Sequence, residues 1–263
     1  MHRRVAAFIL AWLLISSAAS QKVWGQESQP TFASTSLCGD AYLLALAPNQ
    51  IAALSWQSRG PLSLASAEQK QLPQAWDDAE RLIELAPDIV VFGPGEGYKT
   101  EAVLHAAGIQ TLRLDWGETE KALLKNYAKF DIVFMSAAQR QYPHSKPKIL
   151  YLSRSGGSAG VETYIDALIT RIGGENIWSR KSWFTPDAEE LAVIKPDFII
   201  TSYMSDGFES AQAKAITGGV HRKLLATTPS VDIPGKYLSC MSPQFYDAVQ
   251  IADEAVSEWR AAQ

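Results

Sequence analysis

Histidine is nearly absent. The 263 residues contain four, and His105, His144 and His221 have no partner at the spacing of a metal site, so a bare-ion centre is not expected. Cysteine is scarcer still, with only Cys38 and Cys240. No basic run occurs beyond the N-terminus and the formal net charge is −4, which removes the electrostatic footprint of a nucleic-acid binder. No apolar run after the first twenty residues could span a bilayer. Both G-x-G-x-x-G and G-x-x-x-x-G-K-S/T are missing, so the usual nucleotide cradles are not expected.

What is present begins with a leader. His2, Arg3 and Arg4 form a charged start, Val5–Ile15 a short apolar run, and Ser16–Ser20 a small, polar exit. Ala18 and Ser20 stand at the −3 and −1 positions of a cut before Gln21, so residues 1–20 read as a secretory signal peptide; a cut after Gly25 is the alternative. Loss of Arg3 and Arg4 takes the net charge from −4 to −6. No lipid-attachment cysteine follows the apolar run. The expected destination is a bacterial periplasm, where a disulfide between the two cysteines is chemically permissible. Two free thiols are the other reading.

The strongest internal signal is a repeat. DAERLIELAPDIVVF at Asp78–Phe92 recurs as DAEELAVIKPDFIIT at Asp187–Thr201, at an offset of 109 residues (187 − 78). Each copy predicts the same unit. An Asp N-cap and first-turn acids suit the positive end of a helix. Leu82 and Leu85, matched by Leu191 and Ile194, make one apolar stripe, and Pro87 and Pro196 end the helices. The β-branched runs Ile89–Phe92 and Phe198–Thr201 read as buried parallel strands. Two similar α/β lobes follow.

Around the repeats, strands and helices alternate in the order of a doubly wound fold. Residues 21–33 read as a loose leader, 34–117 as an N-terminal lobe and 143–263 as a C-terminal lobe. Ser34–Leu37 reads as a strand, Cys38-Gly39-Asp40 as a turn and Ala41–Ala47 as a helix. Between the lobes, Glu118 to about Gln141 lacks glycine and proline and has helical apolar spacing. As one helix over 118–142 it would be about 35 Å long, enough to join the lobes. The fold class is therefore α/β, with two Rossmann-like lobes of parallel sheet joined by a single long helix.

Two patterns bear on chemistry. Gly156-Gly157-Ser158-Ala159-Gly160 matches G-x-S-x-G, and Asp206 and His221 follow in the order of a hydrolase triad. Ser158, however, lies several residues past the strand end, and no oxyanion segment precedes it. The aromatics are more telling. Trp56, Trp76, Tyr98, Trp116, Trp183, Tyr203 and Phe208 fall mostly just after strands, at the sheet edges where open α/β folds bind ligands. Together they suit a bulky, partly apolar ligand.

SLCGDAYLLALAP, ERLIELAPDIVVFGPG, LHAAGIQTLRL and ELAVIKPDFIITS, with the leader and mid-chain helix, resemble the periplasmic substrate-binding proteins of ABC importers. The similarity is to the cobalamin and ferric-siderophore group, whose lobes are joined by one rigid helix. It implies a non-enzymatic monomer without a resident cofactor. Such a protein takes a siderophore, corrinoid or haem chelate between its lobes and hands it to an inner-membrane permease. It implies docking acids seven residues before each Pro-Asp turn, here Glu80 and Glu189. It also places Cys38 and Cys240 on opposite sides of the cleft, where a disulfide would tie the lobes together. The ligand-contact set becomes Cys38, Gly39, Asp40, Trp56, Trp76, Tyr98, Trp116, Trp183, Tyr203 and Cys240. The 116–148 segment is shorter than that group usually has. A serine hydrolase using Ser158 and a non-transport sensor on the same fold are the rival expectations.

Overall fold

The structure, a computed structural model, describes residues 29–130, 146–203 and 219–263. The first lobe holds β1 (Phe32–Ser34), α1 (Leu37–Leu46), β2 (Ile51–Ser55), β3 (Gln74–Ala75), α2 (Ala79–Leu85), β4 (Ile89–Phe92), α3 (Glu101–Ala106) and β5 (Gln110–Arg113). Its strands form one parallel sheet in the order β3-β2-β1-β4-β5. Helix α4 (Glu120–Ala128) follows. The second lobe holds β6 (Lys148–Ser153), β7 (Ser158–Ala159), α5 (Tyr164–Arg171), β8 (Glu175–Asn176), β9 (Trp183–Phe184), α6 (Ala188–Val193), β10 (Phe198–Tyr203), α7 (Val220–Thr227), β11 (Ser230–Pro234) and α8 (Phe245–Ala261). Its parallel sheet runs β11-β10-β6-β8, and β7 pairs with β9 antiparallel.

The repeat folds as one unit in each lobe. Asp78 caps α2 by accepting from Arg81 N, and Asp187 caps α6 by accepting from Glu190 N at 2.7 Å. In the second copy Glu190 reaches back to Asp187 N at 3.0 Å, which completes a capping box. The Pro-Asp aspartates do more than turn the chain. Asp88 Oδ2 accepts from Thr31 N at 2.7 Å and Thr31 Oγ1 at 2.8 Å, at the start of β1. Asp197 Oδ2 accepts from Lys148 N at 2.7 Å, at the start of β6. Each repeat thus pins the neighbouring strand of its own sheet.

Both faces of the strands are covered, and successive residues pack on opposite sides. Val90 and Phe92 pack with Leu82 and Leu104 on one side, while Val91 joins a second cluster on the other. Leu150 and Leu152 pack against Leu191 and Trp178, while Ile149 and Tyr151 turn to that same second cluster. This cluster is common to both lobes. It unites Tyr42, Leu43, Leu123 and Tyr127 with Ile165, Leu168, Phe245 and Val256.

Three boundaries differ from the sequence expectation. β1 ends at Ser34, and α1 starts at Leu37 because Ser36 caps it, its side chain accepting from Gly39 N at 3.0 Å. Cys38, Gly39 and Asp40 therefore lie in the first turn of a helix and not in a turn between elements. The first lobe reaches back to Thr31 and Phe32 of the expected leader. Helix α4 is capped at Lys129, with a turn at Lys129-Phe130, so the single helix expected over 118–142 begins at Glu120 and stops at Ala128. Its remainder, from 131, lies outside the described residues, as do residues 1–28, His144, Asp206 and Phe208.

Candidate functional site

Strand order locates the site. In the first lobe the chain passes from β2 and β3 on one side of β1 to β4 and β5 on the other, so the topological switch falls between β1 and β4. In the second lobe it falls between β6 and β10. Helices that leave these strands in opposite directions open a crevice at each switch. The residues just beyond β1, β4 and β6 are Cys38, Pro94 and Ser153–Gly157, and all of these regions line one cavity of about 600 Å³ between the lobes. That volume lies within the range of small-molecule and cofactor pockets.

Covalent and polar links tie the lobes at the cavity. Cys38 at the start of α1 is joined to Cys240 by a disulfide, with Cα atoms 5.6 Å apart and 202 residues between them in sequence. Alongside it, Tyr42 Oη donates to Met241 O at 3.2 Å and Gln244 Nε2 donates to Ala41 O at 2.9 Å. Tyr42 also stacks on Phe130 at 5.7 Å between centroids. The segment around Cys240 is thus bound to α1 by one covalent link and two hydrogen bonds.

The walls are aromatic. Trp116 is 80% exposed, and Trp183 rests on Tyr164 and Tyr151 at 5.0 and 5.9 Å between centroids. Trp183 Nε1 donates to Glu118 Oε2 at 2.8 Å, from the second lobe to the segment that opens α4. Tyr164 Oη donates to Leu238 O at 2.7 Å. Burial pushes the Tyr151 phenol up to about 12 and raises Tyr42 and Tyr164 as well. These phenols are therefore neutral wall groups at neutral pH, and Tyr42 and Tyr164 direct their hydroxyls to backbone carbonyls. Ser153, Ser155, Ser239 and Thr185 add hydroxyls to the lining.

Of the residues expected from sequence, Cys38, Trp116, Trp183 and Cys240 line the cavity. Gly39 and Asp40 do not. A Cβ at Gly39 would collide with the Ser34 hydroxyl. Asp40 is buried and accepts from Ser55 N at 2.8 Å and Ser55 Oγ at 2.6 Å, tying α1 to the end of β2. Burial raises its carboxyl to about 6, despite those two hydrogen bonds. Trp56, Trp76 and Tyr98 are exposed just beyond β2, β3 and β4, outside the cavity lining. The Arg81 and Arg113 guanidinium groups lie over the Trp76 and Tyr98 rings at 5.6 and 4.2 Å. Tyr203 ends β10, its backbone paired with Pro234.

Ser158 is not a nucleophile elbow. It lies in β7, fully buried, with its hydroxyl donating to Tyr151 O and accepting from Trp178 Nε1 at 2.9 Å. Nothing in the sequence marked Tyr42, Tyr151, Tyr164, Met241 or Glu118 as wall residues. The tyrosines sit inside helices or a strand and look like ordinary core, and only chain packing turns them to the cleft. Phe184 also lines the cavity, and its place beside Trp183 in the sequence was the one signal available.

No protein-family profile matches the chain, and no curated protein matches it. Solved structures do. A periplasmic heme-binding protein from Pseudomonas aeruginosa superposes with a TM-score of 0.56 at 18% identity, covering 84% of this chain and 90% of that one. The periplasmic heme-binding protein RhuT from Roseiflexus sp. RS-1 gives 0.54 at 19%, covering 89% and 100%. The periplasmic vitamin B12 binding protein BtuF of Vibrio cholerae gives 0.56 at 16%, covering 87% and 96%. The chain has the two-lobed α/β fold of periplasmic solute-binding proteins.

Proposed function

We propose that this protein is the exported solute-binding component of an ABC importer and carries a metal chelate in the cleft between its lobes. One observation carries the reading. An aromatic cavity of about 600 Å³ lies where the switch points of both lobes meet. Proteins of similar fold include periplasmic heme-binding and vitamin B12 binding proteins. The wall offers ring faces and hydroxyls, with its phenols neutral and two of them turned to the backbone. This suits a metal that arrives already wrapped, a siderophore complex or corrinoid, whose outer surface is what the protein reads. Haem fits the same walls by stacking. Residues 1–20 act as the cleaved leader and the protein works as a monomer in the periplasm. Glu80 and Glu189 are exposed in the first turns of α2 and α6. Since helices of this fold return from the C-terminal edge of the sheet, both N-termini flank the cleft, and these acids set the docking register on a permease.

Titration of the purified protein with cobalamin, haem and a panel of ferric siderophores, followed by tryptophan fluorescence, tests this. Trp116 and Trp183 on the wall make quenching the expected response, saturable at micromolar or lower concentration. A flat signal with every chelate would leave the sensor reading of the same fold.

A further inference from the structure

The cavity wall carries a charge that no described residue neutralises. Two acids line it, Asp115 and Glu118. Asp115 is occupied: Lys125 Nζ lies 2.7 Å from Oδ2 and Lys129 Nζ 2.9 Å from Oδ1, and these lysines hold its carboxyl below the usual range. Glu118 differs. Its hydrogen bond comes from the Trp183 indole at 2.8 Å, a neutral donor, and among the described residues it has no ion pair. It is half-buried. Trp183 and the largely exposed Trp116 line the same wall. No Lys, Arg or His is among the described residues that line the cavity.

A carboxylate hydrogen-bonded to one indole, in a wall that holds a second, is the chemistry that recognises a cation. The acid supplies the opposite charge and the ring faces add cation–π attraction as water is displaced. We infer that Glu118, with Trp116 and Trp183, forms a subsite for a positively charged group on the ligand. The favoured cargo of the cleft is then a chelate carrying positive charge, not one bearing free carboxylates. The inference rests on the chelate reading above and narrows it by charge.

Matched pairs test it. The probes are a linear ferric trihydroxamate ending in a primary ammonium and its N-acetyl form, cobinamide and its monocarboxylate, and haem dimethyl ester and haem. In whichever pair binds, the more positive member is expected to bind at least about tenfold more tightly. Glu118→Gln keeps an acceptor for the Trp183 N–H and removes the charge, so the ratio should fall below about twofold. In the unmodified protein the ratio should also shrink as salt is raised, a check that needs no variant. Equal binding within every pair, a preference for the more negative member, or a preference that survives Glu118→Gln overturns the subsite and leaves chelate binding standing. Failure of all six probes to bind overturns both.

Discussion

Asp40 shows how a single side chain can be mistaken for a ligand contact. It follows a cleft cysteine closely, yet its carboxyl is turned into the lobe to hold Ser55. Burial raises it to about 6, against about 3.9 for an unfolded aspartate. Between those values the folded protein holds a proton that the unfolded chain has lost, so stability falls as pH rises from about 4 to about 6 and stays lower above. Two pH units correspond to about 3 kcal/mol at most. Asp40→Asn can accept from Ser55 N without titrating. Denaturant melts from pH 4 to pH 7 should show a steeper fall of stability for the native protein than for the variant. The same slope in both would remove Asp40 as its source. Glu118 is the opposite case at this scale: it was legible only as the start of a helix, and the fold makes it the cleft acid without an ion pair among the described residues.

At the scale of elements, the repeated helix–Pro-Asp–strand unit organises each lobe. Aspartate caps of this kind contribute about 1 kcal/mol each, and the Pro-Asp carboxylates add ties to β1 and β6 that the helix signal alone did not reveal. Each unit also exposes apolar surface near its glutamate. Ile83 is three positions after Glu80 and Val193 four positions after Glu189, and both are exposed. On a helix such pairs share a face. Reversal of both acids, Glu80→Lys with Glu189→Lys, is expected to abolish uptake in cells while leaving chelate affinity in solution within about twofold, since neither residue lines the cavity. Undiminished uptake would refute docking through these acids.

At the scale of the molecule, the lobes are not independent bodies. The shared core, the Tyr42 and Gln244 bonds and the Cys38–Cys240 disulfide all act across the same seam. Closing a loop of 202 residues restricts the unfolded chain by about 5 kcal/mol in the chain-entropy model. Cys38→Ser with Cys240→Ser should therefore melt well below the native protein, by several degrees in a calorimetric scan. Because the shared core remains, it should still bind its chelate. Loss of binding in the folded variant would show that the disulfide shapes the cavity and does not merely hold the chain.

The sequence by itself determined the lobes, through period and punctuation. Leu82 and Leu191, the proline stops and the β-branched strands are local signals, and local signals survive without coordinates. It also placed Trp116 at a strand end, because strand ends are readable once strands are. The tertiary structure alone decided which strand ends meet. Trp56 and Trp76 obey the same rule as Trp116, yet they follow β2 and β3, on the far side of β1 from the β1/β4 switch point, and lie outside the cavity lining; Tyr98 follows β4 and lies outside it too, its ring against the Arg113 guanidinium. Strand order is set by long-range pairing, which leaves no mark on neighbouring residues. The same holds for the tyrosines that complete the wall and for Glu118 reaching Trp183 across 65 positions of sequence. Their roles arise from packing two lobes on one core, an event that no single segment encodes.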